Sequence, residues 1–390
     1  MISYLGGSAS IRTIHFAHLH AFRSMGVTIY DLAREAGVGI GTVSRCLNNH
    51  PSVSKPTRAK VLAVAKRLNY QPHANAQRLA SRKTNAVAAI IPCFTNYFFL
   101  QILQGIQDRA SRVGLDLILH AVTHTDQVEQ SLRRSLQRGR VDGVMFFSMT
   151  LPDLYAEKFQ QMNLPLVLVD ACHPSFDSIR IENREGERRA TDHLIRLGHR
   201  RIGMINAIPN TQPAIDRLAG YRHALEEAGI RYDDELVFNS ADARQDGFTE
   251  EAGWEAMKRL LQLSHRGEPV RAVVVASDIQ AVGVLEAAKE EGVRVPEDMA
   301  LVGFDDIEFA RHLRLTTMRQ PMYEMGVIAL EHLVERIKRP VLPPSATSFV
   351  PELIVRATCG GRPASEPVPE SFSLHDASDV CIDGAHHSKS

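Results

Sequence analysis

From Asn85 onward the chain alternates short, unbroken apolar runs with longer amphipathic stretches, and this pattern narrows the possible folds more than any other feature. A first set reads AVAAIIP, FLQILQGIQDRASRVG, LDLILH, VEQSLRRSLQRG, VDGVMFF, DLYAEKFQQM and PLVLVD. A second set reads RRIGMINA, DRLAGYRHALEEAG, DELVF, GFTEEAGWEAMKRLLQL, RAVVVAS, IQAVGVLEAAKEEG and MALVGFDD. A strand with no polar face has to be covered on both sides, which is the condition of a parallel sheet flanked by helices. Residues 85–358 are therefore expected to form an α/β core of two lobes in succession, each a doubly wound parallel sheet. With 390 residues the chain also exceeds what one hydrophobic core organises, so more than one domain is required.

Upstream of this core the charge is one-sided. Residues 27–83 hold ten Lys/Arg against two acids, Asp31 and Glu35, a net of +8, whereas residues 84–390 hold 33 against 43, a net of −10. A compact basic module on an acidic body suits a protein that lays one end on the phosphate backbone of nucleic acid. A merely solvated basic face is the competing reading, so the motif has to decide between them. The rest of the composition excludes other classes. Apolar residues at 44% and charged residues at 23% are those of an ordinary globular chain. No apolar run is long enough to span a bilayer, and residues 1–26 lack the compact apolar stretch and cleavage site of a secretory signal. No membrane partner is expected, and the location is expected to be cytoplasmic. Five scattered cysteines with no CxxC pair suggest neither a disulfide framework nor a zinc site.

The stretch VTIYDLAREAGVGIGTVSRCLNN supplies the motif. Thr28 can cap a first helix, Asp31 favours its positive end, and Ile29, Leu32 and Ala33 recur at helical spacing. Gly37 permits a tight turn, Val38 plugs the angle, and a second helix runs through Thr42, Val43 and Leu47. Residues 28–70 thus read as several short helices containing a helix-turn-helix, whose second helix presents its N-terminal residues to a major groove. Arg45 can hold guanine O6 and N7 in a bidentate pair, while Thr42 and Ser44 can reach base or phosphate oxygens. The glycines of GVGIGT also invite a phosphate-cradle reading, but a dinucleotide fingerprint follows a strand and is spaced GxGxxG, whereas this segment follows a helix and reads GxGxG.

These residues resemble the LacI/GalR family of bacterial transcriptional regulators. The pattern VTIYDLAREAGV, TVSRCLNN, VS, TR and KVLAVAKRLNYQP runs through the whole headpiece. The likeness continues through TNYFFLQILQGI, RVDGVMF, LPLVLVD, HLIRLGHRRIG, DRLAGYRHAL, VVASDIQAVGVLEAAKEEGVRVPEDMALVGFDD and LTTMRQP, covering roughly residues 27–358. It implies a helix-turn-helix headpiece over 27–72, a hinge helix over 73–84 and a two-lobed, periplasmic-binding-protein-like core over 85–358. An N-terminal extension, 1–26, and a Pro/Ser/Asp-rich tail, 359–390, are expected to be disordered. Three positions that bear on DNA reading depart from the family: Gly39, Ile40 and Gly41 stand where it has a hydroxyl cap and two base-reading side chains. Base recognition is then expected to lean on Ile40, Thr42 and Arg45, with the thymine methyl as a contact for Ile40. Thr28, Tyr30, Ser44 and Asn48 complete the DNA-contacting set. At the hinge, the resemblance places Leu79 as a minor-groove wedge, Ala76 beside it for close packing and Arg78 near phosphates; an ordinary linker with an exposed leucine is the plain alternative. Met25, just before the family's usual start, is a candidate natural first residue.

For the core, the resemblance implies a small effector held between the lobes, with a sugar or sugar derivative as the leading class and a nucleobase as the runner-up. Phe98 and Phe99 fall on the family's aromatic pair, Arg217 and Asp278 on its polar clamps, and Asp170 and Phe304 near the pocket. Both clamps are expected in loops following apolar strands, where function concentrates. Phe98 and Phe99 as core aromatics, and Asp170 as a strand-end cap, stay open. An enzyme of sugar metabolism, or a cytoplasmic ligand-binding protein without operator control, is the alternative. No GxSxG elbow, HExxH, P-loop or paired-carboxylate constellation supports an enzyme, and no cofactor or metal is expected. His193 and His199 read as helix-end and turn residues, and the cluster His15, His18 and His20 as chance. One headpiece reads little sequence, so a homodimer on a near-palindromic double-stranded operator is expected.

Overall fold

The computed structural model describes residues 27–48, 50–70, 84–93, 96–122, 125–209, 211–241, 244–266 and 268–361. Within it the chain divides into two compact units, Met1–Arg82 and Lys83–Ser390. The extension 1–26, most of the hinge with Ala76, Arg78 and Leu79, and the tail beyond 361 lie outside the described residues.

The first unit holds three helices, α1 (Ile29–Ala36), α2 (Ile40–Leu47) and α3 (Lys55–Arg67). Thr28 caps α1 through a reciprocal pair: its Oγ1 accepts from the Asp31 amide at 3.3 Å, and its own amide donates to Asp31 Oδ2 at 3.1 Å. Gly37 ends α1 in the left-handed region at φ 64°, a conformation open to a residue without Cβ. Leu32, Ala33, Ala36, Val43, Cys46 and Val61 form the small core, with Val38 packed at its edge as the turn pattern implied.

The second unit contains two six-stranded sheets. Sheet one comprises β1 (Ala86–Ile91), β2 (Asp116–Ala121), β3 (Gly143–Phe147), β4 (Leu166–Val169), β5 (Asp177–Ile181) and β11 (Ala346–Phe349), in the order β11-β5-β4-β3-β1-β2, every pair parallel. Sheet two comprises β6 (Ile202–Asn206), β7 (Val237–Asn239), β8 (Ala272–Val275), β9 (Ala300–Asp305), β10 (Thr316–Arg319) and β12 (Glu352–Ile354), in the order β12-β10-β9-β8-β6-β7, parallel except for β12 against β10. Central strands are buried along their whole length, as the unbroken apolar runs required. Each sheet carries an apolar cluster on both faces.

The lobes are not simply successive. After sheet two, the helix Met322–Lys338 returns to the first lobe and packs on Tyr97–Val113. A Cβ on Gly105 would lie 2.1 Å from the Tyr323 carbonyl oxygen, and one on Gly326 would lie 2.0 Å from that of Ile102. Arg336 of the returning helix binds Asp177, 3% exposed, with Nη2 2.6 Å from Oδ1. Burial alone would push the Asp177 carboxyl up, but Arg336 and Ser345 hold it below its ordinary value. The chain therefore passes between lobes three times: between Ile181 and Asn183, between Arg319 and Met322, and between Phe349 and Glu352. Cys359, placed by the sequence reading at the start of the tail, is buried in the second lobe with its Sγ 3.3 Å from His193 Nε2.

Candidate DNA-reading face and ligand cavity

On α2 the buried side is Val43 and Cys46, which leaves Ile40, Gly41, Ser44, Arg45 and Asn48 along one outer edge at helical spacing. Ile40 is 42% exposed, and Arg45 and Asn48 are exposed. Gly39 stands at the N-cap with no side chain to bond, so the first amides of α2 point outward unshielded by a cap. Arg45 Nε donates to the Gly41 carbonyl at 3.1 Å, laying the side chain back along the helix through the space a larger residue at 41 would contest. Asn48 Nδ2 donates to Ser44 Oγ at 3.4 Å. Thr42 is half-buried, and Tyr30 projects from α1 at 67% exposure. Both headpiece acids are occupied: Asp31 pairs with Arg34 at 2.6 Å and Glu35 with Arg67 at 2.5 Å. The excess positive charge thus faces outward without internal acidic partners to cancel it.

Between the two lobes of the second unit lies a partly open cavity. From the first lobe it is lined by Asn96, Phe98, Phe99, Ser148 and Asp170, and from the second by Thr211, Arg217, Asp246, Phe248, Ser277 and Asp305, with Gln320 from the second interlobe passage. Three of these are aspartates at positive φ: Asp170 at 53°, Asp246 at 54° and Asp305 at 121°. Such conformations cost roughly 1–3 kcal/mol each and cluster where side chains must be aimed. Asp170 leaves the end of β4 and accepts a hydrogen bond from Ser148 Oγ at 2.9 Å. Burial pushes its carboxyl up to about 6, with Ser148 and Arg217 pulling the other way. Asp305 ends β9 and receives Gln320 Nε2 at 2.5 Å; burial raises it to about 7 against the pull of Arg217. Burial also raises Asp246.

Arg217, 5% exposed, is the single guanidinium of the lining among the described residues. Its Nε donates to Asn183 Oδ1 at 2.9 Å, its Nη1 donates to the Ala276 carbonyl, and its plane stacks 3.8 Å from the Phe304 ring centroid. Contrary to the expectation of a loop position, Arg217 lies inside the helix Gln212–Glu227, which carries it across the end of the sheet.

Of the residues expected around an effector, Phe98, Phe99, Asp170 and Arg217 converge on the cavity. Asp278 and Phe304 do not line it. Asp278 is 0% exposed at the start of the helix Asp278–Glu290, where it accepts from the Ile307 amide at 3.0 Å and Thr317 Oγ1 at 2.6 Å; burial and the neighbouring Asp305 push its carboxyl well up. Phe304 forms the floor on which Arg217 rests. Asp246, Phe248, Asp305 and Gln320 were missed. The FDD and RQP segments held a signal for two of them, an acid at a strand end and an amide before proline. Asp246 and Phe248 sit in an irregular segment whose pattern points nowhere.

Residues 28–73 match the family model of bacterial regulatory proteins, lacI family, and residues 191–359 that of a periplasmic binding protein-like domain. Catabolite control protein A of Priestia megaterium is 32% identical over 320 residues, spanning 81% of this chain and 94% of that protein. A solved complex of the transcriptional regulator CelR with cellobiose is 31% identical with a TM-score of 0.64, and the lac repressor dimer bound to operator and the anti-inducer ONPF is 27% identical with a TM-score of 0.73. Each covers 85% of this chain and 99% of its own. Helix-turn-helix, two-lobed core and these near-full-length likenesses together place the chain in the LacI/GalR family of bacterial transcriptional regulators.

Proposed function

We propose that this chain represses transcription from the cytoplasm as a homodimer, each headpiece inserting α2 into the major groove of one half of a near-palindromic operator. A sugar or sugar derivative held between the lobes sets the affinity for that operator. The observation that carries this reading is the cavity itself: acids, an amide and a buried guanidinium set beside the rings of Phe98 and Phe248, in a space lined by both lobes and by Gln320 of one passage between them. Carboxylates and amides accept and donate the paired hydrogen bonds of vicinal hydroxyls, and aromatic rings cover the apolar faces of a pyranose or furanose. CelR was solved with cellobiose, and the lac repressor with operator and the anti-inducer ONPF, which supports the same use here.

In the headpiece, Arg45 reads guanine, Ile40 meets a thymine methyl, and Thr28, Tyr30, Thr42, Ser44 and Asn48 contact backbone or base edges. Residues 27–72 act as the reader, 73–84 as the hinge with Leu79, Ala76 and Arg78 at the minor groove, and 85–358 as the effector and dimerisation core. Ligand closure of the lobes acts on the hinges of both protomers, and no catalytic step is involved. The test is selection of binding sites from a random duplex pool, followed by fluorescence anisotropy at fixed salt. Arg45→Ala should lose discrimination at one base pair per half-site, about 1–3 kcal/mol, while keeping salt-dependent binding to unrelated duplex. Unchanged selectivity in the variant would remove Arg45 from the reading set.

A further inference from the structure

Resting on the sugar-effector reading, we propose that the interlobe cavity takes an uncharged, hydroxyl-rich ligand and rejects the phosphorylated or carboxylated form of the same compound. Among the described residues the lining brings three carboxyl groups, Asp170, Asp246 and Asp305, to one space with a single guanidinium and no lysine or histidine. Much of that guanidinium is used by protein: Nε on Asn183, Nη1 on the Ala276 carbonyl, and its face on Phe304, which leaves Nη2 as its principal donor towards the cavity. What it offers the cavity is shared between the carboxyls of Asp170 and Asp305, whose charge it partly offsets.

Helix starts at Asn96, Thr211 and Ser277 also reach the cavity, and free helix N-termini favour anions. Here two of them are turned inward. Asn96 Oδ1 takes the Phe98 amide, and Ser277 Oγ takes the Gln280 amide. In the third, Pro213 removes one donor from the first turn.

The remaining valences face the other way. Asp170 uses one oxygen for Ser148 and has no partner for the second among the described residues, and the Asp246 side chain has none for either. Carboxylate oxygens accept and do not donate, so the ligand that satisfies them presents O–H or N–H hydrogens. A phosphate or carboxylate presents acceptors to acceptors. Burial pushes Asp170 up to about 6 and Asp305 up to about 7, so at neutral pH Asp170 is largely ionised and Asp305 only partly so; the poor solvation of negative charge that raises both also meets an anionic ligand. Like charges juxtaposed in a desolvated site cost several kcal/mol, so the anionic member of a pair should bind at least about 100-fold more weakly.

The experiment is calorimetric titration of the full chain, at neutral pH and physiological salt, with matched compounds: glucose, glucose 6-phosphate and gluconate; ribose and ribose 5-phosphate; cellobiose and cellobionate. The inference expects binding of an uncharged member with its anionic partner at least about 100-fold weaker. The double variant Asp170→Asn, Asp246→Asn should narrow that gap by tenfold or more; a merely structural role would weaken both members alike and leave their ratio unchanged. Equal or tighter binding of the anionic member, or an unchanged ratio in the variant, overturns the inference and leaves the sugar reading standing. If no compound of the panel binds while operator duplex still does, the sugar reading falls and takes the inference with it.

Discussion

Replacing Arg217 with methionine removes the charge and keeps much of the stem. Asn183 Oδ1 and the Ala276 carbonyl, both in buried residues, then lose their donor, at roughly 1–3 kcal/mol each. Loss of the stack on Phe304 adds about 2 kcal/mol for a desolvated cation. Against this, the variant no longer strips water from a guanidinium, which offsets a few kcal/mol, so the net loss should be about 3 kcal/mol. The deficit should also depend on pH. Arg217 holds down the carboxyls of Asp170 and Asp305, which burial has raised to about 6 and about 7, and without it both rise further. A carboxyl raised on folding contributes most favourably below its unfolded value near ~4 and loses that contribution as pH climbs through the folded value. The deficit should accordingly be smallest near pH ~5 and widen towards pH ~8. Urea unfolding followed by fluorescence of the single tryptophan, Trp254, reports on the same lobe as Arg217. A loss under about 1 kcal/mol, within the range of many ordinary substitutions, or a deficit flat across that pH range, would refute the assigned role of the guanidinium.

Two other substitutions test the two units separately. Gly41→Ala should stabilise α2 by about 0.5 kcal/mol, because the position is exposed in the first turn of the helix and a Cβ there meets only Arg45 Nη2 at 3.9 Å; slower amide exchange along α2 is the readout, and unchanged or faster exchange counts against it. Gly326→Ala should lower the free energy of unfolding by about 3 kcal/mol, and the urea midpoint with it, since its Cβ would enter the Ile102 carbonyl and neither backbone can yield without parting the two helices. An unchanged midpoint would mean that the returning helix does not pack as described.

Much of this protein was legible in one dimension because the physics involved is local or periodic. The charge split depends on counting alone, and the capping of α1 by Thr28 and Asp31 and the turn at Gly37 involve residues within three or four positions of one another. Unbroken apolar runs announced strands covered on both faces, and the burial of β1, β3 and β8 follows from that requirement. Likeness to a family then placed Phe98, Phe99, Asp170 and Arg217, all of which reach the cavity.

The tertiary structure decided matters that no local pattern encodes. An amphipathic helix reads the same whichever sheet it covers, so the return of Met322–Lys338 to the first lobe depends on the fit of Gly105 against Tyr323 and Gly326 against Ile102, partners more than two hundred residues apart. Asp278 and Asp305 both lie near strand ends, yet only the backbone turn at φ 121° aims Asp305 into the cavity, while Asp278 is spent on Ile307 and Thr317. Phe248, Asp246 and Gln320 come from segments with no period of their own. What joins them to Arg217 is the closure of two sheets on one space, a property of the packed chain and of no stretch within it.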